Sequence, residues 1–349
     1  MSYDDRQYGK GVQSILQVEW ELVCKTPLAI RNGQSVVFEA DRGNQKSRGR
    51  GLAMKWEIAP EKKKKSDDDV TLASLAYEYV VDGDKLVPYH MIPASSVRGA
   101  LRSWTMRHLL EKSYRNRLVI PDGDDEEATT SYISDIKKAL NDQRSGFSIV
   151  GSLFGLAADE RSVEEKDKAS ANAGRLMIET ERFQPSGNDT IEAGGPTMTA
   201  KGGPQNVRRQ MRIRNPLDRM THASASGGLH QFLEICRNER FRVKMTIANP
   251  KDWDLGMLYL WRRELDDGML RLGALSSIGR GRVEVGEQRY TLWRRGSAPE
   301  LGGKKYFEPV SDDETDILSG IFEASTLPQE NLSEFRGYVV DLLGGDGNE

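Results

Sequence analysis

Between Ile15 and Cys24 apolar and polar side chains alternate, with Leu16, Val18, Trp20 and Leu22 set between Ile15, Gln17, Glu19 and Glu21. A two-residue period predicts a strand with one buried face, and Thr26-Pro27 closes it. Residues 31–70 then read as a long mobile insertion, with a Gly/Arg mixture from Arg42 to Gly51, lysines Lys62–Lys65 and aspartates Asp67–Asp69. Both charge runs predict solvated loop. Tyr77–Val81 and Lys85–Tyr89 form a hairpin pattern turning at Asp82-Gly83-Asp84. A helix is predicted from Ile92 to Arg102, capped by Ser95 or Ser96. Val97, Leu101, Trp104 and His108 fall on one of its faces, and Arg98 and Arg102 share another.

Residues 113–145 read as a charged helical insertion. Ala173–Phe183 and Phe241–Ala248 have strand character, Asp252–Asp267 is an amphipathic helix, and Gly279–Gly286 carries the last strand. Without its insertions the chain runs strand, helix, strand, strand, helix, strand. That is the split βαβ order of an α+β, ferredoxin-like fold, the scaffold RNA-recognition domains also use. After residue 290 a polar tail follows, with a short helix predicted over Glu314–Ala324.

Composition narrows the function classes. With 349 residues, 30% charged and 37% hydrophobic, the chain can bury one large core or two modest ones. It has no apolar run near the roughly 18 residues of a membrane span. Its first residues lack the apolar core of a signal peptide, so a cytoplasmic protein is expected. Cys24 and Cys236 read as reduced core residues, and no Cys/His spacing suggests a metal or cofactor. A net charge of −3 argues against nucleic-acid binding by the whole surface. The charge is segregated, however: acid collects at 121–127, 159–167 and 311–316, arginine at 207–219 and 262–282.

The candidate chemistry lies in three places. In 268–285, Gly268, Gly273, Gly279 and Gly281 alternate with Arg271, Arg280 and Arg282, and Ser276 and Ser277 stand between them. Glycine-rich main chain makes a concavity for anions, and arginines add forked phosphate donors. No Gly-Lys-Ser/Thr closes the run and a strand follows, so a polymer backbone suits it better than a nucleoside triphosphate. The start of the 92–102 helix offers Ser95, Ser96 and Arg98 to an anion, although an ordinary capped helix has the same sequence. In this fold the two sites can border one groove, with Arg102 beside them. The third place is Gly194–Asp218, which holds Lys201 and an alternating run with Arg208, Arg209, Arg212 and Arg214. It reads as a ribbon with one charged face, or as a solvated hairpin, and Met198 or Met211 could wedge between bases. Among the histidines His222 is the best placed acid or base, and a polar loop histidine is the plainer reading.

These motifs resemble a known group. Ile92-Pro93-Ala94-Ser95-Ser96-Val97-Arg98-Gly99-Ala100-Leu101-Arg102 is similar to a signature of the RAMP superfamily of CRISPR effector proteins. Leu153-Phe154-Gly155 with Gly174-Arg175-Leu176, Asn215–Ala223, and Ile278–Val283 resemble further blocks of that family, in the same order. The likeness is best to Cas-seven-like backbone subunits of type III or type IV ribonucleoproteins of antiviral defence. It implies a guide crRNA, a target RNA or DNA strand, further copies of the chain and other effector subunits as partners. It also implies a ferredoxin-like palm over 1–290 with insertions at 31–75, 113–145 and 184–214, and an extension over 291–349. The last of these insertions would be a thumb hairpin, and the 31–70 loop would face the target. By the same likeness RNA would lie on Ser95, Ser96, Arg98, Arg102, Lys201, Arg208, Arg209, Arg212, Arg214, Ser276, Ser277, Gly279, Arg280, Gly281 and Arg282. Cleaving relatives cut RNA with a loop aspartate and a divalent metal. Taking Asp82 as the strand-ending residue puts Ala76 at that place, leaving Asp41 or Asp67–Asp69 as substitutes. A subunit that binds RNA without cutting is therefore the expectation, with Mg2+ entering only in the ribonuclease alternative.

Overall fold

The alternation at Ile15–Cys24 becomes a strand, β1 (Ser14–Cys24), and its register explains why it is central. Leu16, Val18, Trp20 and Leu22 are buried on one face. A two-residue period allows only one register that keeps them there. β1 pairs antiparallel with β10 (Arg240–Ala248), Val18 facing Met245, and with β11 (Val283–Arg294), Val18 facing Tyr290. β7 (Leu176–Thr180) joins β10 from the far side. The computed structural model describes residues 11–40, 54–57, 70–109, 146–155, 173–183, 207–214, 230–295, 300–301, 307–309 and 323–336.

Three helices cover the apolar face of this sheet. α1 (Ala94–Leu109) buries Val97, Leu101 and Trp104, and a short α2 (Gly146–Phe154) buries Ile149, Val150, Leu153 and Phe154. α3 (Asp252–Asp266) buries Leu255, Leu258, Trp261 and Leu265. The Trp261 indole donates to Thr105 Oγ1 at 2.9 Å and packs on the Phe154 ring, so the three helices share one core. The order β1, α1, β7, β10, α3, β11, with strands lying side by side as β11-β1-β10-β7, is the ferredoxin-like arrangement.

Four features differ from the sequence reading. The segment read as mobile insertion contains a three-stranded antiparallel sheet of β2 (Arg31–Ala40), β3 (Met54–Glu57) and β4 (Val70–Leu75). Val36-Val37-Phe38 has strong strand preference, which the flanking charge runs obscured. The last palm strand begins at Val283 and not at Gly279, because Gly279 and Gly281 hold positive φ angles of 84° and 77° that a strand excludes. Sheet order also continues past residue 290. β11 runs to Arg294, and β12 (Glu308–Pro309) and β13 (Glu323–Thr326) extend the sheet edge. Glu323 and Ala324, read as the end of a helix, therefore lie in a strand, while 314–322 fall outside the described residues. Finally, Pro93 and neither serine accepts the first turn of α1: the Ser96 amide donates to the Pro93 carbonyl at 2.9 Å. The predicted hairpin is present as β5 (Tyr77–Asp82) and β6 (Lys85–His90).

Of the segment read as a thumb, β8 (Arg209–Arg214) is described, paired with β9 (His230–Ile235), a strand the sequence reading did not include. Cys24 and Cys236 are both free thiols, and burial pushes the Cys24 thiol up.

Candidate nucleic-acid interface

Four short stretches of main chain lie side by side at one end of the palm. The Gly281 amide donates to the Pro27 carbonyl at 3.0 Å and the Ala274 amide to Ala29 at 2.8 Å. On the other side of that segment the Ala76 amide donates to Ile30 at 2.8 Å, and Met91 donates to Ala76 at 3.3 Å. These bonds link the Gly-rich turn, through Pro27–Ile30 and Ala76, to Met91 just ahead of α1. The Gly-rich turn and the lead into α1 are thus connected by one bonded strip of main chain.

The turn itself is held by its own backbone. Leu275 adopts a φ of 66°, a short 3-10 helix covers Ser276–Ile278, and Gly279 follows. A side chain at Gly281 would run into the Leu272 carbonyl, whereas open space surrounds Gly279. Amides of Ile278, Gly279, Arg280, Gly281 and Arg282 are satisfied inside the fold. Those of Leu275, Ser276 and Ser277 have no partner among the described residues, and the two serines are exposed. Exposed donors are therefore concentrated in three consecutive residues.

The arginines divide into two groups. Arg98 donates to the Leu176 carbonyl at 2.5 Å and to Phe154 at 2.8 Å, over the Phe154 ring. Burial pulls its pKa down. Arg280 Nε meets Glu234, which is 0% exposed, and Gln210 of β8 donates to the same carboxylate. Arg208 Nε meets Glu239, equally buried, at 2.6 Å. Arg282 donates to the Asp266 carbonyl at the negative end of α3 and to Glu284. Arg271 bridges the Gly268 and Ser276 carbonyls. Arg209 is partly buried, which pushes its pKa down to about 10. His90 is held at about 4 by burial first and by the Arg209 charge second, and its ring contacts the Ala76 carbonyl at 3.0 Å.

The second group is open. Arg102 and Arg212 are exposed and make no hydrogen bond or ion pair among the described residues. Ser95 is exposed beside the first amides of α1, while Ser96 is half-buried. Arg214 pairs in register with His230. Lys201, His222, Asp41 and Asp67–Asp69 lie outside the described residues.

The residues that sequence reasoning missed are the acids. Asp254, 0% exposed, receives a bidentate fork from Arg175 at 2.8 and 3.0 Å and also accepts from the Lys251 amide. Arg175 further donates to Ser152 Oγ and to the Ala248 and Asn249 carbonyls. The Leu-Phe-Gly and Gly-Arg-Leu blocks thus form one junction. The sheet face away from the helices carries the rung Glu179, Lys244, Glu19, Arg289, alternating in sign. It lacks the aromatic pairing with which RNA-recognition domains stack bases there, which moves attention to the strip. No group of three metal-ligating side chains occurs among the described residues. Ala76 is buried in the strip and offers no carboxylate.

An antiparallel ferredoxin-like sheet with helices on one face defines an α+β protein. The RAMP superfamily model matches residues 21–284, and the chain belongs to that superfamily. RAMP proteins bind RNA and assemble in CRISPR complexes, so the chain is a CRISPR-associated RNA-binding subunit. A search of curated proteins finds none that matches. No helix among the described residues is long and apolar enough to cross a membrane.

Proposed function

We propose that the protein is a backbone subunit of a type III or type IV CRISPR effector that holds guide crRNA by its phosphates without cutting. It polymerises along the guide in the cytoplasm with further copies and other effector subunits, and presents the guide for pairing with target RNA or DNA. The observation that carries this reading is the strip of bonded main chain that runs from the Gly-rich turn through Pro27–Ile30 and Ala76 to Met91 ahead of α1, in a chain of the RAMP superfamily. Phosphates meet the exposed amides and hydroxyls of Ser276 and Ser277 beside the open backbone of Gly279, the Ser95 end of α1, and the free forks of Arg102 and Arg212. Lys201 and Arg214 extend that contact along the thumb, of which β8–β9 is the base. Arg98, Arg208, Arg280 and Arg282, each bonded to an acceptor within the fold, hold the frame, as do Arg209 and the Gly281 backbone. Base pairing then supplies sequence selection, and the protein reads shape and charge.

The test is RNA affinity against salt. Arg102→Ala and Arg212→Ala each lower the slope of log K on log[salt] by about 0.7 for a single strand, whatever the sequence. Unchanged slopes in both reject the strip. Incubation of the assembled particle with matched RNA and Mg2+ leaves the RNA intact. Regular cleavage that disappears in Asp41→Ala replaces this reading with the ribonuclease one.

A further inference from the structure

Glu234 lies in β9 and Glu239 in the turn before β10, and neither is exposed to solvent. A buried carboxylate persists as an ion only beside cations or several donors. Glu234 draws its donors from two different elements: Arg280 Nε of the Gly-rich turn at 2.5 Å, and Gln210 Nε2 of β8 at 2.9 Å. Arg280 itself is largely covered, at 13% side-chain exposure. The neighbouring Ile235 pairs with Leu28, and Pro27 accepts from Gly281. The Arg280–Glu234 pair therefore reaches across the Pro27–Ala29 segment and ties the Gly-rich turn to the β8–β9 ribbon. Arg208–Glu239 fastens the entry to the same ribbon.

We propose that Glu234 is a positioning residue which, through Arg280 and Gln210, sets the β8–β9 ribbon against the Gly-rich turn before RNA arrives. Its consequence for RNA rests on the RNA-binding reading above; its cause rests on the hydrogen-bond geometry alone. Arg280 does not turn outward to a phosphate, because that would strand a fully buried carboxylate, and one solvent-exposed contact does not offset such a loss. Arg280 therefore acts on RNA through the frame.

Full-length wild type, E234Q, R280M and the double variant E234Q/R280M are compared with a labelled single-stranded oligouridylate across a salt series. R280M breaks the clamp and weakens binding by about tenfold with an unchanged salt slope. The double variant carries no stranded charge, keeps an amide facing Gln210, and returns to within about twofold of wild type although the guanidinium is gone. If Arg280 grips phosphate directly, R280M and the double variant both stay weak and both lose about 0.7 of slope, which overturns the proposal. Should R280M not accumulate as folded protein, the double variant against wild type decides in the same way. Hydrogen exchange without RNA separates the two premises. Faster exchange at Gln210, Ile235 and Gly281 in E234Q or R280M supports the clamp even if wild type binds no oligouridylate, an outcome that rejects the RNA reading alone. Unchanged exchange in both variants overturns the clamp.

Discussion

Arg175 and Arg280 each meet a carboxylate with no solvent exposure, but their surroundings differ. Around Arg175 every neighbour closes in: Asp254 takes two donors, Ser152, Ala248 and Asn249 take the others, and the Trp253 ring lies against the guanidinium. Nothing at that junction is left for a ligand. Around Arg280 the carboxylate side is equally closed, through Glu234 and Gln210, yet a few residues away Ser276, Ser277 and Gly279 stand open. One junction is closed on every side; the other is closed frame joined to an open turn. The lesson is that rigidity and exposure are supplied by separate residues in the same turn.

The sharpest way to break this contrast is Asp254→Ala, which leaves Arg175 uncompensated and the start of α3 without its side-chain acceptor. A loss of about 3–5 kcal/mol is expected in urea unfolding, with any remaining folded protein binding RNA normally. A small loss would remove the junction from the frame. His90, in the strip between the two regions, gives the next effect. Its folded pKa of about 4 lies below the ordinary 6.5, so the unfolded chain takes up this proton first. Stability is full above pH 6.5 and falls by about 2–3 kcal/mol as pH drops through 4. His90→Gln should flatten that part of a stability–pH curve. A pair of glycine variants then sharpens the contrast inside the turn. Gly281→Ala meets the Leu272 carbonyl as well as a positive φ and costs upward of about 2 kcal/mol. Gly279→Ala meets open space and costs only the φ strain, about 1 kcal/mol. Thermal melts of the two show whether the closed and open halves of the turn are as distinct as the contacts indicate.

Much of the frame was legible because it obeys short-range periods. β1, α1, β10 and α3 were read from alternation at Leu16–Leu22 and from the three-to-four spacing at Val97–Trp104 and in α3, where burial follows sequence directly. β2 was missed because its apolar core, Val36–Phe38, is brief and stands next to long charged runs. The roles of the arginines were not legible. A cation bound to phosphate and a cation bound to a buried acid have the same local pattern, and the acid is remote: Glu234 lies 46 residues from Arg280, and Asp254 lies 79 from Arg175. Arg98 shows the limit plainly. Its place on an exposed-looking helix start suggested a phosphate, while its two acceptors are carbonyls on α2 and β7. Arg102, four residues on and on the same side of the helix, is exposed, because the carbonyls that hold Arg98 lie at the Arg98 level only.

The row formed by Pro27–Ile30, Ala76, Met91 and Gly273–Gly281 draws on stretches from the beginning, the middle and the far part of the palm. No fragment of the chain owns it. As the polypeptide leaves the ribosome, the row is absent until the turn that follows α3 has docked. Under the proposed function, loading is thereby tied to completed folding, and a half-made subunit has nothing with which to capture a guide.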